Sequence, residues 1–144
     1  MNIIDKLKHG LTTQTAEETR SAAEELAALL PPDCTLALSG DLGAGKTTFV
    51  QGLAKGWGIQ KPVTSPTFNL YTFYEGKRNL IHFDAYRLNS AAQAEDLVIE
   101  DFLHSPYCLA VEWPENVEGW IPPPVLRLFF AITGREQHGI QLED

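Results

Sequence analysis

The sequence predicts an α/β fold with a mostly parallel central sheet, and three observations carry this prediction. An apolar segment at residues 34–39 is followed by a glycine-rich stretch and then by a helical pattern at residues 47–55. Two further apolar segments, residues 79–84 and 107–112, each end in a carboxylate. Strand-like and helical segments also alternate along the chain, which is the order that a parallel sheet requires.

Length and composition predict a single domain over residues 1–144, with residues 1–12 as a flexible N-terminal extension. The apolar content of 44% and the charged content of 21% are typical of soluble globular proteins. No segment has the length of a membrane span or the pattern of a signal peptide, so we expect a cytoplasmic protein that does not contact membranes. The net charge of −8 argues against direct binding of this chain to a nucleic-acid backbone.

The glycine-rich stretch fits the phosphate-binding pattern G-x-x-x-x-G-K-[ST] at every fixed position. Glycines let successive backbone N–H groups point at one small volume, and the following helix adds its N-terminal N–H groups and dipole. The lysine of the pattern reaches the β- and γ-phosphates of a nucleotide, and the hydroxyl residue binds Mg²⁺. The residues concerned are Gly40, Asp41, Leu42, Gly43, Ala44, Gly45, Lys46 and Thr47, directly followed by Thr48.

The two strand-end carboxylates are the next candidate site residues. Asp84 ends an apolar run beyond the phosphate loop, as does the Walker B aspartate that holds Mg²⁺; the alternative is an ordinary cap of a strand end. Glu112 follows the apolar run at residues 107–111. Because ligands bind at the C-terminal ends of parallel strands, Gly40, Asp84 and Glu112 are expected to converge. Trp113 either packs in the interior or covers the phosphate site.

The remaining pattern predicts a first helix over residues 15–30, begun by a capping box at Thr15 and stopped by two prolines. Residues 69–74 and 79–84 are predicted to form a hairpin, and residues 125–132 and 139–142 two last strands. In the helix predicted after Ser90, the inward-facing residues are Ala94, Leu97, Val98 and Phe102.

Residues 61–68 contain two prolines and three hydroxyl side chains. They are either an ordinary connection or a mobile loop whose hydroxyls, Ser65 and Thr67 among them, reach the γ-phosphate or Mg²⁺. Cys34 and Cys108 lie in apolar segments and are expected to be buried, reduced thiols.

Four stretches together resemble one family: residues 40–48, residues 65–68, residues 82–88 and residues 111–113. The chain closely resembles the TsaE family (formerly YjeE), small bacterial ATPases of threonylcarbamoyladenosine synthesis on tRNA. The resemblance implies a three-layer P-loop NTPase fold, ATP and Mg²⁺ as cofactors, and TsaB and TsaD as protein partners. Those two proteins transfer the threonylcarbamoyl group to adenosine 37, so tRNA is contacted only indirectly.

Carried over residue by residue, the resemblance gives each motif a role. Lys46, Asp84 and Glu112 are the expected catalytic residues, and Thr47, Asp84 and Glu112 the expected Mg²⁺ ligands. The expected nucleotide-binding residues beyond residues 40–48 are Thr15, Ser65, Thr67, Trp113 and Arg135. The resemblance places the adenine at the start of the first helix, near Thr13 to Thr19. Many family members carry glycine before the isoleucine of the helix that follows the Tyr-Arg-Leu motif. This chain carries Val98 there, before Ile99, which implies a different packing of that helix.

Other P-loop functions fit the sequence less well. A guanine-reading Asn-Lys-x-Asp motif does not occur, which argues against a GTPase. A small-molecule kinase needs an arginine-rich lid and an acceptor pocket, yet the arginines after the loop are dispersed. A nucleotide-binding protein without hydrolysis needs fewer placed carboxylates than this chain carries.

Overall fold

A seven-stranded mixed sheet forms the centre of the structure, a computed structural model that describes residues 1–65 and 70–143. Its strands are β1 (Leu11–Thr13), β2 (Cys34–Gly40), β3 (Tyr71–Tyr74), β4 (Asn79–Asp84), β5 (Tyr107–Glu112), β6 (Val125–Gly134) and β7 (Gln137–Glu143). They are ordered β1-β7-β6-β2-β5-β4-β3. The four inner strands β6, β2, β5 and β4 are parallel, and the strands beyond them pair antiparallel on both sides. The predicted mostly parallel sheet with an antiparallel hairpin is therefore confirmed.

The α-helices are α1 (Ile3–His9), α2 (Ala16–Ala27), α3 (Lys46–Gly56) and α4 (Ala91–Glu95), with 3₁₀ helices at Ile99–Phe102 and Pro114–Val117. One face of the sheet packs against α1, α2 and α3, and the other packs against α4 and both 3₁₀ helices. Each face buries its own cluster of apolar side chains, so the sheet is the middle of three layers.

Helix α2 begins at the predicted capping box. The Thr15 hydroxyl accepts a hydrogen bond from the backbone N–H of Glu18 at 3.1 Å, and the Glu18 carboxylate accepts one from the N–H of Gln14 at 2.8 Å. The helix ends at Ala27, three residues earlier than the predicted end at Leu30. Leu30 lies beyond this end but is still buried in the core.

Helix α3, which follows the phosphate loop, packs closely against α2. The backbones of the two helices approach closely at Gly52, where an added Cβ would lie 2.3 Å from the carbonyl oxygen of Arg20. The apolar side chains of α3 are buried between α2 and the sheet, as at Phe49 and Leu53. This packing fixes the direction in which the N-terminus of α3 points.

The N-terminal residues 1–12 differ from the prediction. Residues 1–12 were expected to form a flexible extension, but α1 packs Ile3 and Leu7 into the core and β1 pairs with β7. A three-residue strand is too short to give a visible alternation, and only its partner β7 makes it part of the sheet. Strand β7 is likewise longer than the segment predicted at residues 139–142.

The helix expected after Ser90 is also different from the prediction. It ends at Glu95, because Val98 adopts a left-handed conformation with φ of +49°, and a 3₁₀ helix follows. Val98 is 52% exposed and Phe102 is 40% exposed, so neither points into the core as predicted, whereas Ile99 is fully buried. Ala94 is buried as expected. Val98 thus occupies the backbone conformation that glycine adopts most readily.

Cys34 and Cys108 are free and buried, as predicted. Within the part of the chain that the structure describes, no helix combines the length and apolarity that crossing a membrane would require.

The strain at Val98 predicts a stabilising substitution. A left-handed conformation costs an L-residue about 1–2 kcal/mol, and glycine avoids this cost. Glycine also loses more chain entropy on folding, which offsets part of the gain. Val98→Gly should therefore raise the free energy of unfolding by about 1 kcal/mol. Urea denaturation measures the change. Val98→Ala is the matched control, since it keeps the Cβ and should gain less. A lower stability for the glycine variant than for the alanine variant would contradict this explanation.

Candidate functional site

The glycine-rich loop joins β2 to α3 at the C-terminal edge of the parallel strands. Gly40 lies so close to β6 that an added Cβ would meet the carbonyl oxygen of Phe130 at 2.3 Å. Gly45 has a φ of +104° and precedes the first residue of α3. It offers no capping side chain, so the first N–H groups of α3 remain for another acceptor. Because an added Cβ on Gly45 would meet no atom of the described residues within 4 Å, this backbone borders open space.

Lys46 is the first residue of α3 and folds back over the loop. Its Nζ donates a hydrogen bond to the carbonyl oxygen of Gly40 at 2.5 Å and lies 4.0 Å from the centroid of the Trp113 ring. Only 4% of Lys46 is exposed. Burial lowers the pKa of Lys46, and the nearby carboxylates of Glu112 and Asp84 offset part of that effect.

The two predicted carboxylates end neighbouring parallel strands and are paired in register. Asp84 of β4 lies opposite Glu112 of β5, and Glu112 lies opposite Leu38 of β2, two residues before Gly40. The predicted convergence of three strand ends is therefore seen in the structure. Burial raises the pKa of Asp84, and the charge of Glu112 raises it further. The Asp84 carboxylate accepts a hydrogen bond from the backbone N–H of Tyr86 at 3.0 Å, which lowers this pKa and so opposes both effects.

Glu112 is held by two side chains at one oxygen atom. Its Oε2 accepts a hydrogen bond from the Thr47 hydroxyl at 3.0 Å and another from Nε2 of His82 at 2.5 Å. Burial by itself would raise the pKa of Glu112, but the bonds from His82 and Thr47, with Lys46 nearby, leave its pKa below the ordinary value. Glu112 is thus held as a carboxylate.

These groups face one cavity of about 260 Å³ at the C-terminal edge of the sheet. The residues that line it are Ala16, Thr19, Leu42, Gly43, Gly45, Lys46, Thr47, Thr48, Ser65, Asp84, Glu112, Trp113 and His138. The lining combines loop backbone, one ammonium group, two carboxylates and several hydroxyls. This combination suits a polyanion with a divalent cation.

Most of the predicted site residues belong to this arrangement. Ser65 lines the cavity, and its hydroxyl lies 3.0 Å from that of Thr47. Thr67 lies outside the described residues. Thr15 is the exposed N-cap of α2, and the exposed Arg135 lies in the turn between β6 and β7; neither lines the cavity.

Ala16 and Thr19 line the cavity and belong to the stretch near Thr13 to Thr19 in which the resemblance placed the adenine. Sequence reasoning missed two residues of the site, His82 and His138. His82 carried a signal, since it stands two residues before Asp84 and alternate residues of a strand share a face. His138 carried none. His138 reaches the cavity only because β7 pairs with β1 and β6, at Thr13 and Ile132 respectively.

The donors fit Mg²⁺ with a bound phosphate chain better than a metal held by protein alone. Among residues 1–65 and 70–143, no group of three or more His, Cys, Asp or Glu side chains could enclose a metal ion. The Thr47 hydroxyl and the carboxylates of Asp84 and Glu112 are hard oxygen donors, which Mg²⁺ prefers. Mg²⁺ is commonly bound by one or two carboxylates together with substrate phosphates.

Strand, glycine-rich loop and helix, with acidic residues at the ends of the neighbouring strands, define a P-loop fold. The sequence model of the family described as "Threonylcarbamoyl adenosine biosynthesis protein TsaE" matches residues 13–140. The chain belongs to this TsaE family, which confirms the resemblance.

Relatives named as tRNA threonylcarbamoyladenosine biosynthesis protein TsaE include proteins from Bacillus subtilis and Treponema pallidum. The protein from Bacillus subtilis is 38% identical over 129 residues, which cover 89% of this chain and 80% of that protein. The protein from Treponema pallidum is 37% identical over 110 residues, covering 76% and 82% of the two chains. The crystal structure of Bacillus subtilis YdiB superimposes with a TM-score of 0.76 at 34% identity, covering 92% of this chain and 82% of that chain.

Proposed function

We propose that this protein is a Mg²⁺-dependent, ATP-binding and ATP-hydrolysing accessory protein of tRNA N6-threonylcarbamoyladenosine (position 37) biosynthesis. It acts in the cytoplasm with the TsaB and TsaD proteins. Membership of the TsaE family supports the pathway. The observation that carries the biochemical part is the meeting of the phosphate loop, Lys46, Thr47, Asp84 and Glu112 around one cavity.

The loop and the start of α3 supply the binding of ATP. Their N–H groups and the helix dipole favour a phosphate chain, and Lys46 adds a positive charge in a half-enclosed setting where that charge acts strongly. Lys46 bonds the Gly40 carbonyl and contacts the Trp113 ring, so its ammonium group is already held beside the loop. Trp113 shields this charge from water on one side.

The carboxylates supply two separate functions. Mg²⁺, when bound, neutralises the charge that develops on the phosphate oxygens. Thr47 and Asp84 are its proposed ligands, and Glu112 either joins them through water or orients the attacking water. The lowered pKa keeps Glu112 ionised for either role. Serving as a proton acceptor or water-orienting group requires an ionised carboxylate at neutral pH.

Partner proteins are needed for two reasons. At a net charge of −8 the chain repels a tRNA backbone at long range. Fast hydrolysis by P-loop proteins also depends on a cation at the γ-phosphate, which an arginine in trans supplies in many of them. Arg87 and Arg135 are exposed and do not line the cavity, and neither side chain makes a hydrogen bond or ion pair within residues 1–65 and 70–143. Because neither arginine is held at the cavity, we expect a partner to supply or position this cation.

Lys46→Ala should abolish measurable ATP binding, because Lys46 is the only ammonium or guanidinium group among the described residues that line the cavity. Isothermal titration calorimetry with Mg²⁺ and ATP gives the affinity. Lys55→Ala is the matched control: it removes an exposed ammonium group from the same helix, paired with Glu24 at 3.8 Å. Unchanged affinity in Lys46→Ala would refute the proposed binding mode.

Glu112→Gln should retain ATP binding and lower the hydrolysis rate by about 100-fold or more, since it removes the negative charge and leaves the loop backbone and Lys46 in place. Asp84→Asn should weaken Mg²⁺-dependent ATP binding in addition to hydrolysis. Phosphate release and calorimetry together separate the two effects. Hydrolysis by Glu112→Gln near the wild-type rate would show that Glu112 is not the proposed residue.

Taken alone, the protein should bind tRNA negligibly at physiological salt and hydrolyse ATP slowly. Adding TsaB and TsaD should raise the ATPase rate, by up to about 10³-fold if they supply a cation or order the site. Phosphate-release assays with each protein omitted in turn measure this. Fast hydrolysis that the pair does not stimulate, or tight binding of tRNA by this chain alone, would contradict the proposal. Addition of small-molecule hydroxyl acceptors tests the kinase alternative in the same assay.

A further inference from the structure

His82 lies next to the site, but neither ATP binding nor hydrolysis as proposed above uses it. The imidazole is fully buried on β4, two residues before Asp84, and it therefore shares the face of the sheet on which Asp84 and Glu112 lie. Its Nε2 lies 2.5 Å from Oε2 of Glu112. The side chain connects the apolar core to the carboxylate at the edge of the cavity.

The imidazole of His82 makes a hydrogen bond through only one of its two nitrogens among the described residues. Nδ1 is buried and has no hydrogen-bond partner among residues 1–65 and 70–143. A buried polar atom without a partner destabilises the fold, and an apolar side chain of similar volume at this position would avoid that cost. The compensating contact is the bond at Nε2. Because Oε2 of an ionised carboxylate can only accept, the proton of this bond belongs to Nε2.

The bond from His82 determines which oxygen of Glu112 serves the site. Oε2 accepts from both His82 and Thr47, whereas Oε1 makes no hydrogen bond within the described residues. Glu112 lines the cavity, so Oε1 is the oxygen left for a ligand. Without the Nε2–H donor, the Thr47 hydroxyl would be the one remaining described hydrogen-bond donor to the carboxylate, and the orientation of its two oxygens would no longer be fixed.

We propose that His82 is a positioning residue: its Nε2–H fixes Oε2 of Glu112 and thereby presents Oε1 to the bound Mg²⁺ or water. This inference rests on the proposed function for its kinetic consequence, but the His82–Glu112 bond itself can be tested without nucleotide. Residues that orient a ligating or catalytic group through a hydrogen bond typically contribute about 10- to 100-fold to metal affinity or activity.

The kinetic test compares three variants in the ATPase assay with TsaB and TsaD present. His82→Leu removes the donor and should lower kcat about 10- to 100-fold, with KM for ATP changed by less than about threefold. His82→Gln places an amide N–H near the position of Nε2 and should restore kcat to within about threefold of the wild-type value. Leu80→Ala is the matched control, since Leu80 is a fully buried residue on the same face of β4 that does not line the cavity. It should lose stability and keep kcat.

The second readout is nuclear magnetic resonance of the protein labelled with ¹⁵N-histidine, recorded without ATP or Mg²⁺. The protein contains four histidines, and the spectrum of His82→Gln assigns the signal of His82. We expect a slowly exchanging Nε2–H proton that is shifted downfield, lost in Glu112→Ala and retained in Leu80→Ala.

Three results would overturn the inference. The first is a His82 signal that is the same in the wild-type protein and in Glu112→Ala. The second is a His82→Gln variant that is as slow as His82→Leu. The third is a folded His82→Leu variant that is as fast as the wild-type protein. If His82→Leu does not fold, His82→Gln and the spectra still decide. If the wild-type protein shows no ATP turnover at all, the proposed function fails, and the spectra alone decide whether His82 holds Glu112.

Discussion

The parallel pairing of β2, β5 and β4 is the constraint on which the rest of the site depends. It puts Glu112 in register with both Leu38 and Asp84, so the phosphate loop and two carboxylates leave the sheet at the same edge. Two apolar clusters, one on each face of the sheet, stabilise this pairing. Helix α3 packs between α2 and one face of the sheet. A one-residue shift of β5 would turn Glu112 to the opposite face of the sheet and leave the cavity without its second carboxylate.

At that edge of the sheet, hydrogen bonds join most of the polar groups of the site, and Nδ1 of His82 is the exception among the described residues. Lys46 bonds a carbonyl of the loop, Thr47 and His82 bond one oxygen of Glu112, and the N–H of Tyr86 bonds Asp84. The two carboxylates consequently behave differently, because burial raises the pKa of Asp84 whereas hydrogen bonds outweigh burial and lower that of Glu112. Such a separation of two neighbouring carboxylates is typical of sites that assign them different roles.

The sequence predicted the parts of this site that are local or periodic. The loop is contiguous, and Asp84 and Glu112 each end an apolar run, so parallel pairing was enough to bring them together. What could not be predicted depends on pairing across long distances in the chain: β7 pairs with both β1 and β6, and these pairings bring His138 to the cavity. The pattern also did not predict the end of the helix before Val98. The apolar residues keep their helical spacing through Val98, although its backbone is left-handed in the folded protein. The binding of ATP and Mg²⁺ stays a prediction.

The central claim is that the backbone of the glycine-rich loop is the binding site for ATP. The most direct test is a calorimetric titration of ATP with Mg²⁺ into the wild-type protein, Gly45→Ala and Gly58→Ala. Both glycines have positive φ, at +104° and +72°, so each alanine should cost about 1–2 kcal/mol of stability, but only Gly45 lies in the cavity. We expect one ATP per chain, an affinity at least about tenfold weaker in Gly45→Ala, and an unchanged affinity in Gly58→Ala. No binding by the wild-type protein, or equal affinities in the two variants, would contradict this claim.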